Sequence, residues 1–123
     1  MILFDADGIA SLSERLAGEA LELIGISAFG VGLHFGDIEV SCEEALAVRI
    51  GGVEYTWSDK PNATPFGLLI GQIVVNIELV APDRARIHLN TGDFVEILTA
   101  ESLYESVIVR YPSDGTKLVM DIY

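Results

Sequence analysis

Cysteine is almost missing from this chain: Cys42 is the single one in 123 residues. No internal disulfide can form, which excludes a disulfide-stapled secreted scaffold. Basic residues are also scarce. Seven Lys and Arg stand against 19 Asp and Glu, a formal net charge of −12, and a polyanion of this strength repels phosphate backbones, which argues against nucleic acid as a partner. Long apolar runs are missing too. The most apolar stretch, Phe66 to Ile77, is interrupted by Gln72 and Asn76 and falls short of the roughly 20 residues that cross a bilayer. The first residues carry Asp5 and Asp7 where a signal peptide needs positive charge. A cytoplasmic protein with no membrane association is expected.

Catalytic signatures are lacking as well. No Gly-x-Ser-x-Gly elbow occurs. Gly30, Gly32 and Gly36 miss dinucleotide-loop spacing by one residue and lie in strand-period sequence, where glycines mark close strand approach or a bulge. Cys42 is followed by Glu43 and Glu44, which oppose thiolate formation. An acidic run starting at Leu3 has the Asp5, Asp7, Gly8 and Glu14 of a calcium loop but leucine in place of the first ligand, so it reads as acidic sequence before a helix. No catalytic residue and no cofactor is assigned, and a non-enzymatic protein is expected.

What is present is half hydrophobic and a fifth charged, the composition of one folded domain spanning 1–123. Ser11 with Glu14 forms a capping-box pattern, and Leu12, Leu16, Ala20 and Leu23 follow at helical spacing, predicting a helix over about 11–23. The period then drops to two. Val31-Leu33-Phe35, Ile38-Val40, Leu46-Val48-Ile50 and Val53-Tyr55-Trp57 alternate with polar or small residues, joined by turns at Gly36-Asp37 and Gly51-Gly52. Residues 58–65 hold two prolines, an Asn and an Asp and read as a linker. Strands recur at 73–80, 85–89, 94–98, 105–111 and 117–122. The connections are hairpin-length, so the sheet is antiparallel. The fold class is α+β, mainly antiparallel β, an N-terminal helix with two pseudo-symmetric β units packed as one sandwich or barrel-like domain.

The unit boundaries are about 26–57 and 69–123. Leu33-His34-Phe35, Gly36-Asp37 and Ile38 to Val40 recur as Ile87-His88-Leu89, Gly92-Asp93 and Phe94 to Ile97, and Leu23-Ile24-Gly25 recurs as Leu69-Ile70-Gly71. With Ser41-Cys42-Glu43 before the Gly51-Gly52 hairpin and Tyr104-Glu105 before a late strand, this pattern resembles a family of small bacterial proteins built on a duplicated strand–turn–strand unit, from about Leu21 onward. Glu44-Ala45-Leu46 replaces the aromatic-basic pair of that family. The family brings no established activity. Loose likeness to immunity proteins of bacterial toxin systems implies inhibition of a basic partner.

Two functional readings come from the residues. In the first, an acidic interaction module, of which an immunity-type inhibitor is one form, meets a basic protein through Glu39, Glu43, Glu44, Glu54 and Asp59. Residues 1–60 carry 11 acidic and 3 basic side chains, net −8, against 8 and 4, net −4, in 61–123, so the acidic excess lies in the first half. In the second, a groove between the β units binds a small molecule through Tyr55, Trp57 and Phe66, or a metal through His34 and His88, which hold matching repeat positions beside Asp37 and Asp93. Alternation sets Ile73, Val75, Ile77 and Leu79 on one face, with Val74 and Val80 on the other. Strands apolar on both faces need a cover, and mean hydropathy is +0.44. A homodimer through the second unit's sheet is therefore expected.

Overall fold

A computed structural model describes residues 3–27, 30–43, 46–57, 65–99 and 107–111, and the backbone of 119–122. The chain enters on helix α1 (Ala6–Leu16), and strands β1 (Leu21–Ile26), β2 (Val31–Phe35) and β3 (Ile38–Cys42) follow as a meander. A hairpin of β4 (Leu46–Ile50) and β5 (Val53–Trp57) comes next, then a 3-10 turn at Phe66–Leu69. The second half repeats the plan, with the meander β6 (Val74–Ala81), β7 (Arg84–Leu89) and β8 (Phe94–Leu98), then β9 (Val107–Tyr111) and β10 (Val119–Ile122).

Two five-stranded antiparallel sheets result, in the orders β1-β2-β3-β9-β10 and β5-β4-β8-β7-β6. Each sheet therefore combines the meander of one half with the hairpin of the other. The pairings of β3 with β9 and of β8 with β4 are equivalent under that exchange. One hydrophobic cluster takes Ile9, Leu12 and Leu16 from the helix, Leu33, Phe35 and Val40 from the first sheet, and Val48, Ile87 and Ile97 from the second. The sheets also meet at a corner: Leu21 N–H donates to Gln72 C=O at 2.9 Å, Gly71 N–H to Leu21 C=O at 2.7 Å, and Val74 N–H to Glu19 C=O at 2.9 Å. The fold is α+β and mainly antiparallel β, as the period-two pattern predicts.

The helix is displaced from its expected span. It runs over Ala6–Leu16, not 11–23, because Asp5 caps it: its carboxylate accepts the Gly8 N–H at 3.1 Å, satisfying an orphan donor of the first turn. Gly18 stops it, with φ +86 just past the last turn, a conformation that favours glycine. Ala20 and Leu23 thus fall outside the helix, and Leu23 lies in β1. Ser13 ties the helix to the second sheet by accepting the Ile77 N–H of edge strand β6 at 2.8 Å, which occupies a donor that an open edge would present.

Several turns form as their residues dictate. Gly51 and Gly52 have φ +59 and +83, the all-positive pattern of a type I′ hairpin. At Gly36-Asp37 only Gly36 is positive, with φ +58, as a type II′ turn needs. The proposed match of Leu23-Ile24-Gly25 with Leu69-Ile70-Gly71 does not carry over, since the first lies in a strand and the second spans the 3-10 turn and the bend after it. In β6 the face assignment is also corrected. Val74 is buried while Ile73 and Val75 are exposed, because the register shifts between Val74 and Asn76, and such a bulge re-aims the side chains around it.

Candidate functional site

The outer face of the first sheet carries an open concavity of about 290 Å³ lined by Gly25, Gly32, His34, Glu39, Ser41 and Glu43, among others. Strict alternation in β2 and β3 buries Val31, Leu33, Phe35, Ile38, Val40 and Cys42 and turns Gly32, His34, Glu39 and Ser41 outward. Gly25, Gly32 and Ser41 lie in register across three strands, beside the pairs Leu23–His34 and His34–Glu39. The two glycines leave the floor as bare backbone. A Cβ on Gly32 would stand 3.5 Å from His34 Nε2 and 3.6 Å from Glu39 Oε1, so both side chains lean over it. At the hairpin end Gly30 is required, because a Cβ there would meet Cys42 C=O at 2.6 Å.

One wall is a fixed polar network. Ser41 Oγ donates to Glu39 Oε1 at 2.6 Å, and Arg110 Nη1 from β9 donates to Glu39 Oε1 at 3.2 Å and to Ser41 Oγ at 2.9 Å. Glu39 thereby presents an oriented carboxylate over the glycine floor, its Oε1 paired with the Arg110 guanidinium.

The equivalent positions of the second sheet are filled. By register, Arg86 stands where Gly32 does, Glu96 where Ser41 does, and Glu78 where Gly25 does. Arg86 donates to Glu96 Oε2 from Nη2 at 2.8 Å, Arg84 Nε lies 3.3 Å from Oε1, and His88 Nε2 lies 2.9 Å from Glu78 Oε1. The Arg86 guanidinium also covers the Phe94 ring at 4.2 Å. The two sheets share strand order, but among the described residues the glycine-floored hollow lies on the first.

The acidic candidates divide. Glu39 and Glu43 share the hollow, Glu54 lies exposed on β5 opposite Arg49, and Glu44 and Asp59 lie outside the described residues, as does the linker over 58–64. The aromatic candidates are not brought to a ligand surface. Trp57 is 1% exposed and Phe66 5%, both within the core cluster, and Tyr55 packs half-buried against it. Trp57 and Phe66 therefore do not line an open groove between the β units: their ring faces are spent on packing in the core. His34 and His88 project from the outer faces of different sheets, which separates them. Among the described residues no group of three or more His, Cys, Asp or Glu is arranged to hold a metal.

Two further titratable residues have structural roles. Burial alone pushes the Cys42 thiol up to about 12, which keeps it protonated and inert. Asp93 clamps three segments, accepting from Gln72 Nε2 at 2.9 Å and from Gly51 N–H at 3.0 Å. The Gln72 bond first, then the Gly51 bond, hold its carboxyl below the usual range. Arg110 carries no local signature of its reach to Glu39, whereas Gly32 inside period-two sequence marks the close-approach floor. No helix among the described residues is long and apolar enough to cross a membrane. No protein family, curated protein or solved structure matches this chain.

Proposed function

We propose that this protein is a non-enzymatic, acidic interaction module that captures a basic protein, with an immunity-type inhibitor as the specific form, working in the cytoplasm where the lone thiol of Cys42 stays reduced. The observation that carries the reading is the charge of −12 together with the exposed positions of Glu14, Glu19, Glu22, Glu43 and Glu54. An acidic surface of this density attracts a cationic partner over about a Debye length and raises its association rate. The family likeness and an internal duplication belong to the same proposal, supported by the equivalent strand orders of the two sheets.

The test is kinetic. With a basic protein captured from the native host, Glu43→Lys combined with Glu44→Lys is expected to slow association about tenfold at low salt and to flatten its salt dependence. Association rates that stay unchanged across the salt series defeat the reading.

Self-association through the second unit's sheet is the companion proposal. Ile73 just before β6, and Val75 and Val80 within it, lie exposed, and the second half bears the smaller share of charge. Light scattering at micromolar concentration and moderate salt is expected to give twice the 13.3 kDa of one chain. A monomer mass removes the dimer.

A further inference from the structure

We infer that the open edge of β1 accepts an extended, basic segment of a partner protein as a sixth strand of the first sheet, with one arginine or lysine laid across Gly25 and Gly32 toward Glu39. The inference rests on the basic-partner reading above and names where and how such a partner docks.

The backbone of β1 is set up for pairing. Ser27 N–H donates to Gly30 C=O at 2.9 Å, and β1 pairs with β2 in continuous register from Leu23 to Ile26. Hydrogen-bonded pairs alternate along an antiparallel ladder. Gly25 and Leu23 therefore turn their polar groups toward β2, and Ile24 and Ile26 turn theirs to the open side. Among the described residues nothing pairs with that side beyond the corner at Ala20 and Leu21. By contrast, β6, the equivalent edge of the second sheet, is engaged by Ser13 of the helix.

The register then decides the chemistry. A residue added opposite Gly25 forms a non-hydrogen-bonded pair and projects its side chain on the outer face. It meets no side chain at Gly25, where a Cβ would find nothing within 4 Å, and at Gly32 it reaches the His34 ring and the Glu39 carboxylate that lean over the backbone there. The Glu39 carboxylate lies over Gly32, about two strand spacings or roughly 10 Å from the added strand, and a long cationic side chain extending from the opposite direction closes that gap. Glu43 at the rim adds a second anion. Residues flanking the basic one face Ile24 and Ile26 and are apolar. The preferred segment is thus apolar–basic–apolar in extended form, read by main-chain pairing plus one side-chain trough. A second copy fits worse, because its β1, Leu-Glu-Leu-Ile-Gly-Ile, offers Glu22 and no cation.

The probe is a fluorescein-labelled nonapeptide, Thr-Val-Thr-Val-Arg-Val-Thr-Val-Thr, titrated against the full chain by anisotropy. Saturable binding is expected. N-methylation of the two valines beside arginine, whose amides face β1, is expected to weaken it at least tenfold, and N-methylation of the arginine amide is expected to leave it unchanged. Gly25→Val, which fills open space in a strand with a β-branched residue, is expected to weaken binding at least tenfold with no fall in Tm. Binding that ignores both the methylation pattern and Gly25→Val overturns strand addition in favour of charge attraction alone. No peptide binding while the captured basic protein still associates in a Glu43-dependent way overturns strand addition and leaves the basic-partner reading standing. A dimer in light scattering that Gly25→Val dissolves overturns the inference by assigning the edge to a second copy.

Discussion

Replacing Trp57 by alanine is expected to lower stability by about 3–5 kcal/mol, the usual result of deleting a large buried aromatic. Trp57 closes the end of β5 opposite Leu46 and is among the largest fully buried side chains of the core. For a chain of this length the loss corresponds to roughly 10–20 °C in Tm, a large share of the ~5–15 kcal/mol that holds an ordinary domain together. The experiment separates two roles that look alike in sequence. An aromatic lining a ligand groove is half-exposed, and its truncation removes binding with little effect on folding. A core aromatic does the reverse. Urea and thermal unfolding of Trp57→Ala that show a loss under about 1 kcal/mol would return Trp57 to the surface and reopen the groove between the β units.

That ambiguity shows where sequence reading stops. Alternation in Val31 to Val40 identified strands, faces and hairpins correctly, because the period-two signal and the Gly36-Asp37 and Gly51-Gly52 turns are local. The helix span failed for a local reason as well. Two N-terminal signals competed, Asp5 with the Gly8 amide and Ser11 with Glu14, and the cap chosen was the one that placed Ile9, Leu12 and Leu16 against β6 and the core. Leu23 looked helical because its spacing from Leu16 suits either element. The exchange of hairpins between sheets was not legible at all. It depends on β3 finding β9 and on β4 finding β8, pairings set by three-dimensional packing. The hollow followed the same rule: Glu39 was visible as an outward acid, but Arg110 reaches it from 71 residues away. Its neighbouring glycines gain meaning only when Gly25, Gly32 and Ser41 fall into one register.

Arg86→Met is the second substitution expected to act strongly, and it tests why the second sheet has no such hollow. All of Phe94, Val95, Glu96 and Ile97 in β8 are buried, so the outward residue Glu96 is a carboxylate largely removed from water, 8% exposed. Arg86 binds it through two nitrogens, Nε at 3.2 Å and Nη2 at 2.8 Å, and lies over Phe94 at the same time. The arrangement screens the charge with its own stem and guanidinium. Breaking a buried pair from one side leaves a charge without its partner, which costs about 3–5 kcal/mol. Here a smaller loss, about 2 kcal/mol, is expected, because the Arg86 side chain is itself 29% exposed and Arg84 remains 3.3 Å from the other oxygen. Glu96→Leu in the Arg86→Met background is expected to recover most of the loss, since an apolar pair on a covered face carries no unpaired charge. Urea unfolding of the two single variants and the double variant gives the coupling between them. If Arg86→Met alone costs less than about 1 kcal/mol, the pair behaves as an exposed surface bridge. The closed face of the second sheet would then come from Phe94 packing and not from the ion pair that occupies the positions left open in the first.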